Sequence, residues 1–135
     1  MADYEFEHSV DTTAPAAAVW ALWSDVDRWT EWDGELDAVT LEGPFAVGST
    51  GTMAIPGQPP ITFALTSVVE GEGFTDETVV PGATLRFVHR VEEVDGRRRI
   101  THRLEADGPA AGEIGPFVTE DMPQAVEALA RLAEK

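Results

Sequence analysis

The chain has 135 residues, no cysteine and a formal net charge of -16, and 43% of its residues are hydrophobic. This length and composition predict one globular domain, residues 1–135, with a single hydrophobic core. The lack of cysteine excludes disulfides and thiolate metal sites, and the negative charge argues against binding to nucleic acid or anionic membranes.

The N-terminal residues Met1 to Glu5 are polar and acidic, and no segment is long and apolar enough for a membrane span. These features predict a cytoplasmic protein without a membrane partner.

The first third of the chain predicts a strand followed by two short helices. Residues 4–11 alternate strictly between apolar and polar side chains, which is typical of a half-buried strand. Pro15 suits a helix start, and apolar residues then recur at helical spacing as far as Val26. Residues 25–33 predict a second short helix, and residues 36–42 return to a strand pattern.

The remaining pattern predicts an antiparallel meander closed by a helix. Turn-forming glycine and proline recur at short intervals between residues 43 and 96, separating runs rich in Thr, Val, Phe and Ile. The last segment changes to a helical period, with Val118, Met122 and Val126 on one apolar stripe. We expect a long C-terminal helix that begins between Gly115 and Pro123 and covers the sheet.

One hairpin allows its register to be counted. Asp95-Gly96 is a strong signal for a two-residue turn, which places Val94 opposite Arg97. On the outer face this predicts the opposite-charge pairs Glu92 with Arg99 and Arg86 with Glu105. On the inner face it predicts Leu85 with Ala106, Phe87 with Leu104, His89 with His102, and Val91 with Ile100.

His89 and His102 therefore share one apolar face. They are either neutral core histidines bonded to their neighbours or groups that orient the polar part of a ligand. His8 also lies on the apolar face of its strand, so a zinc site formed by the three histidines is an alternative. The three histidines have no diagnostic spacing, so no metal site is predicted.

Three motifs span nearly the whole chain. They are Val19-Trp20-x-x-Trp23-Ser24-Asp25-Val26-x-x-Trp29-x-x-Trp32 after Ala14-Pro15, Gly43-Pro44-Phe45-x-x-Gly48-Ser49-x-Gly51-Thr52-Met53, and Asp121-Met122-Pro123. Together they resemble the START-like polyketide cyclase/dehydrase and lipid transport superfamily, also called SRPBCC.

The resemblance implies an α+β helix-grip fold. In this fold a curved, seven-stranded antiparallel sheet wraps around a long C-terminal helix, with two short helices after the first strand and a cavity inside. It also implies that the first strand lies beside the last, which would place His8, His102 and His89 on neighbouring strands. The superfamily includes carriers, receptors and enzymes, so the fold implies no single chemistry.

The favoured function is binding of a small hydrophobic ligand, polyketide-, aromatic- or lipid-like, in that cavity without a cofactor, by a monomer or weak dimer. The alternative is a cyclase or dehydratase that acts on a polyketide-like carbonyl compound, with His89 and His102 as acid and base. The expected ligand-binding residues are Trp32, Phe63, Phe87, His89, His102, Leu104, Val118 and Met122.

Asp76 is the most notable carboxylate, but its orientation stays open. It lies on the same face of the predicted strand as Phe74 and Thr78, whereas Thr75 and Glu77 lie on the opposite face. Either set fits the inner face of a strand, so Asp76 is not among the expected site residues.

Overall fold

A computed structural model describes residues 2–135, which form one antiparallel sheet and four α-helices. The strands are β1 (Tyr4–Thr12), β2 (Ala38–Glu42), β3 (Thr50–Ala54), β4 (Ile61–Val69), β5 (Gly73–Val80), β6 (Ala83–Val94) and β7 (Arg97–Asp107). Their order in the sheet is β1-β7-β6-β5-β4-β3-β2, so the first strand pairs with the last. This topology confirms the predicted helix-grip fold.

Two short helices follow β1, as predicted. Helix α1 (Ala16–Ser24) begins after Pro15, and a 3₁₀ turn (Val26–Arg28) leads into α2 (Trp29–Trp32). The indole Nε1 of Trp29 donates a hydrogen bond of 2.8 Å to the carbonyl of Trp23, which fixes α2 against α1. Trp23, Trp29 and Trp32 are buried in the core, and Trp20 is partly buried against it.

The C-terminal segment consists of α3 (Ala111–Val118) and α4 (Met122–Ala133). Thr119 lies between them, and its hydroxyl donates to the carbonyl of Gly115 at 2.9 Å. Helix α4 begins within the predicted range, with Pro123 in its first turn, where proline loses no helical hydrogen bond. The preceding helix α3 was not anticipated. Among residues 2–135, no helix has the length and hydropathy needed to cross a bilayer.

The β6–β7 hairpin has the register counted from Asp95-Gly96. Both turn residues have positive φ, 52° for Asp95 and 81° for Gly96, as this type of turn requires. All the predicted inner and outer pairs are opposite one another. One detail differs, because Arg99 bonds to Asp11 of β1 at 2.9 Å rather than to Glu92.

Candidate functional site

A cavity of about 620 Å³ lies between the inner sheet face and helices α2, α3 and α4. That volume is within the range of small-molecule sites. A second depression, of about 300 Å³, lies on the outer face, but its arginines Arg86 and Arg103 are already paired with surrounding carboxylates. The internal cavity is therefore the better candidate site.

Six of the eight expected residues line this cavity, namely Trp32, Phe87, His89, His102, Val118 and Met122. The other two, Phe63 and Leu104, are not part of its lining. Phe63 is 1% exposed and stacks on Trp29, with ring centroids 5.6 Å apart, and Leu104 is completely buried in the core. Both side chains point inward as predicted. The alternation along a strand predicts the face on which a side chain lies, but not its position along the cavity.

The two histidines form the centre of an aromatic cluster. The ring centroids of His89 and His102 are 4.6 Å apart, and the His89 ring stacks on Phe74 at 3.9 Å. The Nδ1 atom of His89 lies 3.2 Å from the Phe74 carbonyl, which can only accept a hydrogen bond. The proton of the neutral ring therefore sits on Nδ1, and Nε2 is left as an acceptor.

Burial keeps both rings neutral. Desolvation lowers the pKa of His89 to about 3, although its backbone hydrogen bonds oppose the change. Desolvation also holds the pKa of His102 well below its ordinary value, with further lowering by His89 and His8. His8 lies opposite His102 in β1, so the three histidines do occupy neighbouring strands. Even so, no group of three side chains in residues 2–135 is arranged to hold a metal ion.

Asp76 also lines the cavity, and it is the site residue that the sequence did not select. In the structure Phe74, Asp76 and Thr78 point inward. This determines which face of β5 lines the core, a question that the sequence left open. The Asp76 side chain is 3% exposed, and its strand partners are Leu65 and Phe87. Desolvation in this apolar setting raises the pKa of Asp76 to about 8.

Several polar atoms on the cavity wall have no partner within residues 2–135. The buried Trp32 Nε1, Thr78 Oγ1 and His102 Nε2 make no hydrogen bond to protein. Folded proteins leave few buried polar atoms unpaired, because each one costs about 1–3 kcal/mol. Their convergence with Asp76 on one cavity marks this wall as a place for a polar ligand group.

Four carboxylates line the same cavity where it reaches the surface. Asp33 and Glu35 follow α2, and Glu120 and Asp121 lie between α3 and α4. Desolvation is the main cause that raises the pKa of Asp33. The pKa of Glu35 is raised first by a hydrogen bond with Asp121, then by the charge of Asp121, by desolvation, and by repulsion from Asp33 and Glu120.

A curved antiparallel sheet closed by a C-terminal helix around an internal cavity defines a helix-grip domain. Residues 3–134 match the family model described as polyketide cyclase / dehydrase and lipid transport. The chain therefore belongs to this family. No curated protein matches the sequence.

Solved structures show the same fold at low sequence identity. Ara h 8.0201 is 15% identical, with a TM-score of 0.74 over 96% of this chain and 97% of its own. Norcoclaurine synthase from Thalictrum flavum, in complex with dopamine and hydroxybenzaldehyde, is 15% identical, with a TM-score of 0.72 over 96% and 85%. Protein MLL2253 from Mesorhizobium loti is 11% identical, with a TM-score of 0.79 over 96% of each chain. At these identities the likeness concerns the fold alone.

Proposed function

We propose that this protein binds a small hydrophobic ligand, polyketide-, aromatic- or lipid-like, in the cavity between the sheet and the C-terminal helices. The observation that carries the proposal is a cavity of about 620 Å³ whose mainly apolar wall contains the buried polar residues Asp76, His89 and His102. Apolar walls supply affinity, and a few fixed polar groups orient the ligand.

The protonation states suggest which ligand group faces the polar wall. Because the pKa of Asp76 is raised to about 8, its carboxyl group is mainly protonated at neutral pH and can donate a hydrogen bond to a ligand. The neutral His89 ring presents Nε2 as an acceptor. A hydroxyl group or an enolisable carbonyl group of a ligand matches this pairing of donor and acceptor.

The relatives are consistent with this class of ligand. The family description includes polyketides and lipids, and the norcoclaurine synthase structure contains two small aromatic compounds. Native mass spectrometry of the purified protein tests the proposal directly, because a retained small molecule would be detected by its mass. The same spectrum would show whether the protein is a monomer or a weak dimer.

A paired-ligand titration tests the polar wall. Asp76→Leu should weaken binding of naphthol about tenfold while leaving binding of methylnaphthalene nearly unchanged, since only naphthol has a group for Asp76. Thr66→Val, which changes an exposed residue of β4, is the control. The proposal fails if the wild-type protein retains no molecule and binds neither compound saturably.

A second candidate function is acid–base catalysis of cyclisation or dehydration of a polyketide-like carbonyl compound. It is favoured by one observation: burial moves the pKa values of Asp76 and His89 in opposite directions on the same wall. His89, with a pKa of about 3, is a weak base at neutral pH. Asp76 would therefore be the main proton donor to a carbonyl oxygen, in place of the histidine pair expected from the sequence.

Turnover of a synthetic poly-β-ketone, followed by product mass, distinguishes this enzyme from a carrier. Catalysis by the protonated Asp76 carboxyl predicts a rate that falls as the pH rises through about 8. Asp76→Asn should remove most of the activity, and the remaining rate should no longer fall as the pH rises through about 8. Absence of any product above background would leave the binding function alone.

A further inference from the structure

The entrance of the cavity is strongly acidic. Asp33, Glu35, Glu120 and Asp121, here called the acidic entrance, come from two loops and all line the cavity. Glu35 and Glu120 are exposed, whereas Asp33 and Asp121 are half-buried. Two exposed and two half-buried carboxylates therefore lie on the lining of the cavity.

No cation among the described lining residues balances this charge. Arg103 is the one basic side chain on the lining, and it is bound to Glu5, Glu7 and Glu105 on the outer face of the sheet. Around Glu35 the charged neighbours are Asp121, Asp33 and Glu120, which all repel its negative form. A bound cation would relieve this repulsion, whereas an anion would increase it.

A separate feature indicates that the same cavity receives a ligand. Asp76, which is 3% exposed, lines the cavity together with Trp32, whose buried Nε1 has no hydrogen-bond partner within residues 2–135. Asp76 is flanked in the sheet by the apolar partners Leu65 and Phe87. The lining of the cavity thus combines the acidic entrance, apolar side chains and neutral polar groups.

We propose that the ligand is a cationic amphiphile, an aromatic or alkyl amine, whose ammonium group lies at the acidic entrance while its apolar body fills the cavity. This inference rests on the proposed binding function and adds the charge of the ligand. The ammonium group contributes through attraction to carboxylates that are partly shielded from water, where charge pairs are stronger than on an open surface. The same field weakens the binding of negatively charged ligands of the same size.

Three probes with the same aromatic body test the proposal: naphthylethylamine, naphthylethanol and naphthylacetate. Each one competes with the neutral fluorescent reporter N-phenyl-1-naphthylamine at low salt. We expect the amine to bind about tenfold more tightly than the alcohol, and the acetate to bind more weakly than the alcohol. Added salt should reduce the preference for the amine, because the entrance is partly exposed.

The variants separate the acidic entrance from the overall charge of the protein. Glu35→Gln combined with Asp121→Asn should remove most of the preference for the amine, and asparagine is as favourable as aspartate at the position that precedes α4. Glu70→Gln combined with Glu72→Gln removes the same charge from an exposed turn between β4 and β5 and should preserve the preference.

The outcomes distinguish the two proposals. If the reporter and all three probes fail to bind, the proposed binding function is wrong. If they bind but the amine has no advantage, only the inference of a cationic ligand is overturned. It is also overturned if both double variants lose the preference equally, since the attraction would then arise from net charge.

Discussion

Replacement of Asp76 by asparagine should change how stability depends on pH. The unfolded chain ionises this carboxyl group above its ordinary pKa of 3.8, whereas the folded protein keeps it protonated up to about 8. Between these values the folded state holds one proton more than the unfolded state, so its stability falls as the pH rises. Each pH unit is worth about 1.36 kcal/mol, which gives roughly 4 kcal/mol between about pH 5 and pH 8.

The substitution Asp76→Asn removes this loss, because an amide side chain does not ionise in this range. Burial of an amide also costs free energy, but equally at every pH, so it cancels from the slope. Relative to wild type, the free energy of unfolding of Asp76→Asn should therefore rise by roughly 4 kcal/mol from about pH 5 to pH 8. Contributions from His89 and His102 are common to both proteins and also cancel.

Urea denaturation at several pH values measures this difference, provided that the m-value stays constant. Asp37→Asn, which removes an exposed carboxyl group, is the matched control and should follow the wild-type pH profile. A difference between Asp76→Asn and wild type that stays within about 1 kcal/mol over the whole range would refute the reasoning. Asp76 would then be ionised in the folded protein or be in contact with bulk water.

Three further predictions concern the cavity and its wall. In nitrogen-15 spectra, neither His89 nor His102 should gain a proton between about pH 7 and pH 5, because burial lowers both pKa values; a normal titration of either ring would contradict its burial. Met122→Trp should fill part of the cavity and weaken binding of N-phenyl-1-naphthylamine at least about tenfold, whereas Gln124→Trp on the exposed side of α4 should not. Gly73→Ala should destabilise the fold by more than about 1 kcal/mol in thermal unfolding, because its Cβ would overlap the His89 carbonyl oxygen; an unchanged melting temperature would show that the strands separate easily.

The hairpin could be predicted because its information is local. Asp95-Gly96 determines both the turn type and the register, and the positive φ values of both residues are observed. Once Val94 lies opposite Arg97, the facing pair His89 and His102 follows by counting. The start of α4 could also be predicted from the sequence, because the apolar residues change to a helical period there and Pro123 favours a helix start.

The orientation of Asp76 could not be predicted from the sequence, because both faces of β5 mix polar and apolar residues. Its orientation depends on how β5 pairs with β4 and β6. The pairing with β4 has a register shift between Leu65 and Ser67, and no sequence pattern predicts this shift. Phe63 and Leu104 illustrate a related limit. Both point inward, yet the three-dimensional position of the helices decides which inward residues meet the cavity and which pack into the core.

The polar groups on the cavity wall are difficult to explain as contributions to stability. A folded protein gains nothing from keeping Asp76 protonated in an apolar setting, and the raised pKa itself measures a free-energy penalty above the ordinary value of 3.8. The unpaired Nε2 of His102 and Oγ1 of Thr78 add further cost. Apolar residues of similar size would pack there without this penalty. Natural proteins depart from favourable burial and hydrogen bonding mainly at functional sites, so this cost supports the proposal that the wall shared by Asp76, His89 and His102 serves function rather than folding.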